Sequence, residues 1–176
     1  MNLKPRIFLI AAADLRNGIG FQGKLPWNLK KDMKFFQETT IRTDSMQYRN
    51  MVIMGRVTWD SIPMEHRPLK ARKNVVITRN KEFKAPQGVT VVHSIKEALE
   101  EADERIGDIF VIGGAKIFDE FMKRQKIDGI YLTRIRKEFK CDTFFPKIPK
   151  AFRAEKLEEV SEGGISYEFL FYGKKK

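Results

Sequence analysis

Ile109-Phe110-Val111-Ile112-Gly113-Gly114-Ala115 holds an unbroken apolar run, a glycine pair and the first residue of a helical pattern that reaches Arg124. An apolar run without polar alternation describes a strand covered on both faces, as in parallel sheets. The glycines make a tight turn, and the helix returns the chain to the next strand. The same grammar repeats upstream. Apolar runs cover Ile7 to Ala13, Met51 to Met54, Val75 to Thr78 and Val89 to Val92. Helical patterns fall between runs at Leu29 to Thr40, Val57 to Ile62 and Ser94 to Glu104. Ser94-Ile95-Lys96-Glu97 reads as a capping box opening the last of these. Strand alternating with helix predicts an α/β fold with a largely parallel sheet. After Gly129 the style changes. Ile130 to Ile135 and Ser166 to Tyr172 alternate in polarity, so the C-terminal part is predicted antiparallel. Gly18, Gly20, Gly23 and Pro26 make a long flexible loop after the first strand.

The 176 residues, 42% of them hydrophobic, suffice for one domain with its own core. The single cysteine, Cys141, permits no intrachain disulfide and fits a reducing compartment. The apolar run after Arg6 leads into Asp14-Leu15-Arg16-Asn17 rather than a signal-peptidase pattern, and no stretch is long enough for a membrane span. A cytoplasmic protein without membrane contact is expected. The net charge of +11 has three readings. It marks a nucleic-acid binder, a lysine-rich surface ending in Lys174-Lys175-Lys176, or cations that serve small anionic ligands. The basic residues are interspersed with acids and no nucleic-acid motif occurs, which favours the surface reading.

The helical pattern from Leu29 carries the most informative residue. At 100° per residue Leu29, Met33 and Phe36 form an apolar stripe, and Asp32 lies inside it. A buried carboxylate is costly and its pKa rises unless it is paired. Two readings fit. Asp32 is satisfied by a backbone amide at the margin of the stripe, or it waits for a ligand that brings a paired donor. The neighbouring Pro26-Trp27-Asn28, which closes the glycine-rich loop, favours the second.

Three strand ends point to a dinucleotide. Gly113-Gly114 lets the backbone approach a ligand closely, and the helix that follows favours phosphate. Met54-Gly55-Arg56-Val57-Thr58 and Thr78-Arg79 add cations and hydroxyls. No acid occupies the strand ends where an NAD ribose would require one, which selects NADP. The alternatives are a sharp turn packed on its neighbour and two ordinary surface arginines. Two histidines and one cysteine build no standard zinc site, so no metal is expected. No G-x-S-x-G elbow or P-loop occurs.

Taken together, the motifs resemble the dihydrofolate reductase family. Leu25-Pro26-Trp27-Asn28-Leu29 with Asp32 and Phe36 carries the resemblance. So do Val52-Ile53-Met54-Gly55-Arg56 with Thr58-Trp59 and Ser61-Ile62, and Arg67-Pro68-Leu69 with Arg72. Ile112-Gly113-Gly114, Tyr131-Leu132-Thr133 and Asp142-Thr143 with Phe145-Pro146 complete it. These follow the family's order from Ile7 to Tyr172. The resemblance implies a single domain over residues 1–176. Its α/β fold has a mostly parallel sheet of eight strands with an antiparallel C-terminal strand, flanked by about four helices. It also implies hydride transfer from NADPH C4 to pteridine C6 of dihydrofolate, with protonation at N5. Antifolates such as methotrexate would inhibit it, and a monomer without specific nucleic-acid binding is expected.

The implied catalytic set is Asp32, Leu25, Trp27 and Thr133. Asp32 holds the pterin ring nitrogen and 2-amino group, and Thr133 supports it through a bridging water. The implied folate set is Ile10, Leu25, Asp32, Met33, Phe36, Ile62, Arg67, Leu69, Arg72, Ile112 and Thr133, with Arg72 clamping the glutamate-tail carboxylate. The implied cofactor set begins with Ala12 and the loop residues Ile19, Gly20, Gly23, Lys24 and Leu25. It continues through Gly55, Arg56, Val57, Thr58, Thr78, Arg79, His93 and Ser94. It ends on Ile112, Gly113, Gly114, Ala115, Lys116, Ile117 and Phe118. The loop from Asn17 to Lys24 closes over the nicotinamide, and the glycine pair is joined by a cis peptide.

Ala115 stands where the family's third glycine is usual, and Phe118 where a tyrosine is frequent. Asp32 matches bacterial members, whereas Ile41 to Asn50 and Ser61-Ile62-Pro63 match longer eukaryotic forms. A riboflavin-pathway reductase shares the fold and NADPH but usually lacks the Trp27, Asp32 and Arg72 set. At this length no fused thymidylate synthase module is expected.

Overall fold

The computed structural model describes residues 4–124 and 127–174. Met1, Asn2 and Leu3 of the N-terminal segment, and Lys175 and Lys176 of the lysine tail, lie outside the described residues. In chain order the strands are β1 (Arg6–Ala13), β2 (Gly18–Gly20), β3 (Arg49–Gly55), β4 (Arg72–Ile77), β5 (Val89–Val92), β6 (Ile106–Val111), β7 (Gly129–Ile135), β8 (Thr143–Phe144), β9 (Phe152–Glu162) and β10 (Ile165–Lys174). The helices are α1 (Lys30–Ile41), α2 (Arg56–Ser61), α3 (Ile95–Glu100) and α4 (Ala115–Arg124), with a 3-10 turn at Met64–His66.

Eight strands form one sheet in the order β5-β4-β3-β6-β1-β7-β10-β9. The pairs from β5 through to β7 are parallel, and β10 and β9 are antiparallel additions. The sequence places Ile130 to Ile135 in the antiparallel part, and the structure corrects this. β7 pairs in parallel with β1, Ile10 opposite Tyr131 and Ala12 opposite Thr133. Its polar residues answer to specific partners instead, Thr133 to Asp32 and Arg134 to the Asp14 carbonyl and Asn17. β9, which no apolar run announces, is the far edge, and most of its side chains, including Arg153, Glu155, Lys156, Glu158 and Glu159, face water.

Both faces of the central strands are buried, which is why their sequences read as continuous apolar runs. Leu9, Met51, Ile53, Val75 and Val111 pack on one face with Ala98 of α3 and Phe118 and Phe121 of α4. Phe8, Ile10, Val52, Met54, Val76 and Phe110 pack on the other with Trp59 of α2 and Phe36 of α1. Two further expectations change. Ser94 is the N-cap of α3, accepting a hydrogen bond from the Glu97 N–H, but the helix ends at Glu100 rather than Glu104. The glycine-rich loop is not wholly irregular, because Gly18–Gly20 pairs as β2 with β8. Among the described residues no helix is long and apolar enough to cross a membrane.

Parallel strands present their C-terminal ends on one side. Ala12, Gly55, Thr133 and the residues just past β4, β5 and β6 therefore open into a common crevice, the usual ligand position in such sheets.

Candidate active site

That crevice is a cleft of about 2450 Å³. A drug-sized ligand occupies roughly 300–1,000 Å³, so the cleft has room for two molecules side by side. It brings together Ile10, Ala12, Asp32, Met33, Phe36, Ile62, Arg67, Leu69, Arg72 and Thr133. Ile19, Gly20, Gly23, Lys24 and Leu25 line it from the loop after β1. Gly55, Arg56, Val57, Thr58, Thr78, Arg79, His93, Ser94 and the run from Ile112 to Phe118 line the rest. Trp27 alone among the expected residues does not line it. The indole is buried and sits edge-on against Phe139, with centroids 5.2 Å apart. Its Nε1 is the one buried side-chain polar atom without a partner among the described residues. Such an N–H fits an acceptor from a ligand or an ordered water.

Asp32 lies in the first turn of α1 and is 7% exposed. The Thr133 hydroxyl donates to Asp32 Oδ1 over 2.6 Å from the neighbouring β7. Burial pushes the Asp32 pKa up to about 6, opposed by the Thr133 hydrogen bond and reinforced by the negative charge of Glu162. Near neutral pH the group is therefore largely ionised but easily protonated. The stripe around it is not a core stripe throughout. Leu29 is buried, whereas Met33 is 48% exposed and faces the cleft. A cleft-facing helix satisfies the same spacing as a core-facing one, which is why sequence cannot separate them.

At one end of the cleft stands Arg72. Its guanidinium meets neutral partners: it donates from Nε to the Lys70 carbonyl and from Nη1 to the Thr40 hydroxyl, each over 2.8 Å, and lies 6.0 Å from the Phe36 ring centroid. Burial lowers its pKa to about 10, which leaves the cation intact at neutral pH. The turn that carries it is riveted by buried Asn74, which donates to the carbonyls of Leu69 and Arg72 and accepts the Leu69 N–H. A cation desolvated beside neutral acceptors suits a carboxylate ligand.

At the other end the Gly113–Gly114 peptide is cis, as expected. Gly113 has φ +125°, and a Cβ there would sit 3.1 Å from Thr58 Oγ1. The backbone thus approaches α2 where a side chain would intrude, and the first residues of α4 line the cleft. Thr78 is buried, its carbonyl is 2.7 Å from His93 Nδ1, and Arg79 is exposed at the rim. Arg56 pairs with Asp60 at 2.8 Å. Ser94 already spends its hydroxyl on Glu97. This polar, cationic rim with a glycine turn fits a dinucleotide carrying an extra phosphate.

The loop after β1 is tied down by two acids to which the sequence reading gave no role, Asp14 and the motif residue Asp142. Buried Asp14 accepts backbone N–H groups from Arg16, Gly18 and Phe139. Arg134 donates to the Asp14 carbonyl and to Asn17 Oδ1, and Asp142 accepts the Gln22 N–H. Asp142, Thr143 and Phe144 also line the cleft. Another missed residue is Glu162, which holds the N-terminus of α1. The contacts of Glu162 to α1, of Arg134 to Asn17 and of Phe139 to Asp14 each span more than a hundred residues, 117 for Arg134 and Asn17, so local sequence carries no signal for them.

Residues 6–174 match the family model described as dihydrofolate reductase. The chain is 43% identical over 180 residues to a dihydrofolate reductase of Heliothis virescens, covering 96% of this chain and 97% of that one. It is also 43% identical over 199 residues to a dihydrofolate reductase of Pneumocystis carinii, with the same coverage of 96% and 97%. Among solved structures it resembles the Schistosoma mansoni dihydrofolate reductase, with a TM-score of 0.86 and 34% identity, covering 98% of this chain and all of that one.

Proposed function

The chain belongs to the dihydrofolate reductase family, and on that premise we propose that it reduces dihydrofolate to tetrahydrofolate with NADPH, Asp32 being the carboxylate that promotes protonation of the pterin. The observation that carries the reading is the buried Asp32–Thr133 pair in the same cleft as the Gly113–Gly114 turn. When bound, NADPH supplies hydride from nicotinamide C4 to pteridine C6.

The rest falls to the chain. Asp32 Oδ1 and Oδ2 accept the ring N–H and 2-amino group of the pterin, and Thr133 fixes the carboxylate for that contact. Ionised Asp32 raises the proton affinity of the bound ring, and water delivers the proton to N5. Trp27 Nε1 is a donor that can hold such a water. Ile10, Met33, Phe36, Ile62 and Leu69 form the apolar walls, and Arg72 takes the carboxylate of the substrate tail. Gly113, Gly114, Thr58, Thr78 and Arg79 would hold the cofactor, with the Asn17–Lys24 loop excluding solvent. The single cysteine is free, which suits a cytoplasmic enzyme, and residues 1–176 are read as one domain acting as a monomer.

The test is direct. Protein mixed with NADPH and dihydrofolate should deplete nicotinamide absorbance, and methotrexate should stop the loss. Asp32→Asn should lose turnover strongly at neutral pH and much less in acid, where substrate arrives protonated. Wild-type turnover by Asp32→Asn at neutral pH would remove Asp32 from this role.

A further inference from the structure

We propose that Glu162 is a positioning residue for Asp32: it caps the first turn of α1 from outside the helix and stations a fixed negative charge behind the Asp32 carboxylate. The inference rests on the reading of Asp32 given above.

The N-cap of α1 is Leu29, which offers no side-chain acceptor. A helix start leaves backbone N–H groups without partners. Here Glu162 supplies them from β9. Its Oε1 accepts the Lys30 N–H over 2.9 Å and its Oε2 the Lys31 N–H over 3.2 Å. Buried Tyr167 of β10 donates its hydroxyl to Oε2 over 2.7 Å. The carboxylate is thus held from both sides. Its place is set by the hairpin, because Gly163 and Gly164, at φ 56° and 75°, reverse the chain directly after it. Tyr167 feels both the charge and the backbone of Asp32, so the three residues form one contiguous group.

The groups that meet Asp32 are Glu162 from β9, Tyr167 from β10 and the neutral Thr133 from β7; the exposed Lys30 and Lys31 of α1 engage Glu162 instead. Thr133 favours the Asp32 anion and Glu162 opposes it. The Tyr167 hydroxyl, then the Lys31 and Lys30 N–H groups, hold Glu162 below the usual carboxylate range. Glu162 is therefore already charged where Asp32 titrates. Asp32 ionises against a standing charge, and at neutral pH both charges act in the same sense on a ring bound beside them.

The experiment is a carboxyl carbon NMR titration of ligand-free wild-type protein, E162Q and E162D. The Asp32 midpoint should fall by about half a pH unit in E162Q, the size expected for a nearby charge across a partly hydrated gap. E162D, which keeps the charge, should titrate close to wild type. In wild-type protein the Glu162 resonance should show a second inflection at the Asp32 midpoint, because coupling is reciprocal. The pH dependence of hydride transfer should shift with the Asp32 midpoint. An Asp32 midpoint unmoved by E162Q, or a Glu162 resonance without the second inflection, overturns the proposal; the latter decides the matter even if E162Q does not fold. A purely structural cap would cost stability and leave both resonances alone. Since the titration needs no substrate, coupling without dihydrofolate turnover would sink the enzyme reading and keep this one, and turnover without coupling would do the reverse.

Discussion

Asp32→Asn should make the protein more stable while disabling it. The carboxyl has its pKa raised from 3.8 to about 6, chiefly by burial. The unfolded chain releases this proton near pH ~4 and the folded chain near pH ~6. Between those values the native state holds a proton that the unfolded chain has lost, so stability falls as pH rises through the window. Above it the full deficit persists, and below it the two states bind alike. Two pKa units correspond to about 3 kcal/mol. The amide retains an acceptor for Thr133 but brings an N–H₂ that needs its own partner, which reduces the expected gain to about 2 kcal/mol. For a chain of this size that is roughly 4 to 8 °C in Tm. Urea unfolding at about pH 7.5 and about pH 3.5 would show the gain at the first and its disappearance at the second. An unchanged or lowered midpoint at the higher pH, or an equal gain at both, would refute the claim that this carboxylate is held in the fold at a cost.

Three further perturbations address the remaining parts of the cleft. Arg72→Leu removes the desolvated cation and should raise KM for dihydrofolate about 10- to 100-fold while kcat stays within about threefold, as steady-state kinetics would read. Arg79→Ala should raise KM for NADPH about tenfold and leave that for NADH nearly unchanged, since only the former carries the extra phosphate. Gly113→Ala places a Cβ 3.1 Å from Thr58 Oγ1 at φ +125°. It should destabilise the fold by about 1–3 kcal/mol, seen in urea, and weaken NADPH binding in a fluorescence titration.

The parallel half of the fold is legible because β1, β3, β4 and β6 are buried on both faces, and solvent exclusion writes itself into consecutive residues. β9 is illegible for the opposite reason: an edge strand with water on most of its side chains has no reason to alternate. β2 is built around glycines and carries no side-chain period. The direction of β7 depends on a neighbour 30 or more residues away along the chain, as in the pairing of Ile135 with Tyr167, and its own polarity cannot report it. In the cleft, Asp32 stands out because an acid breaks an apolar stripe, and Gly113-Gly114 because only glycine suits that turn. Trp27 is recognised by motif, yet it packs behind the cleft wall. Glu162 stays hidden because its partners are backbone N–H groups more than 130 residues away, and Asp14 because its partners, near at Arg16 and Gly18 and far at Phe139, are backbone N–H groups that any sequence would supply.

The two margins of the sheet bear on how this molecule behaves in a crowd. One margin, β5, is four residues long, too brief to template a neighbour. The other is β9, long enough to recruit a twin. Laid antiparallel on itself about Leu157, it would oppose Glu155 to Glu159, like charge against like, although Lys156 would meet Glu158. Fibre growth by strand addition is therefore hindered at one rim by brevity, and at the other by exposed charges that an added strand would have to match.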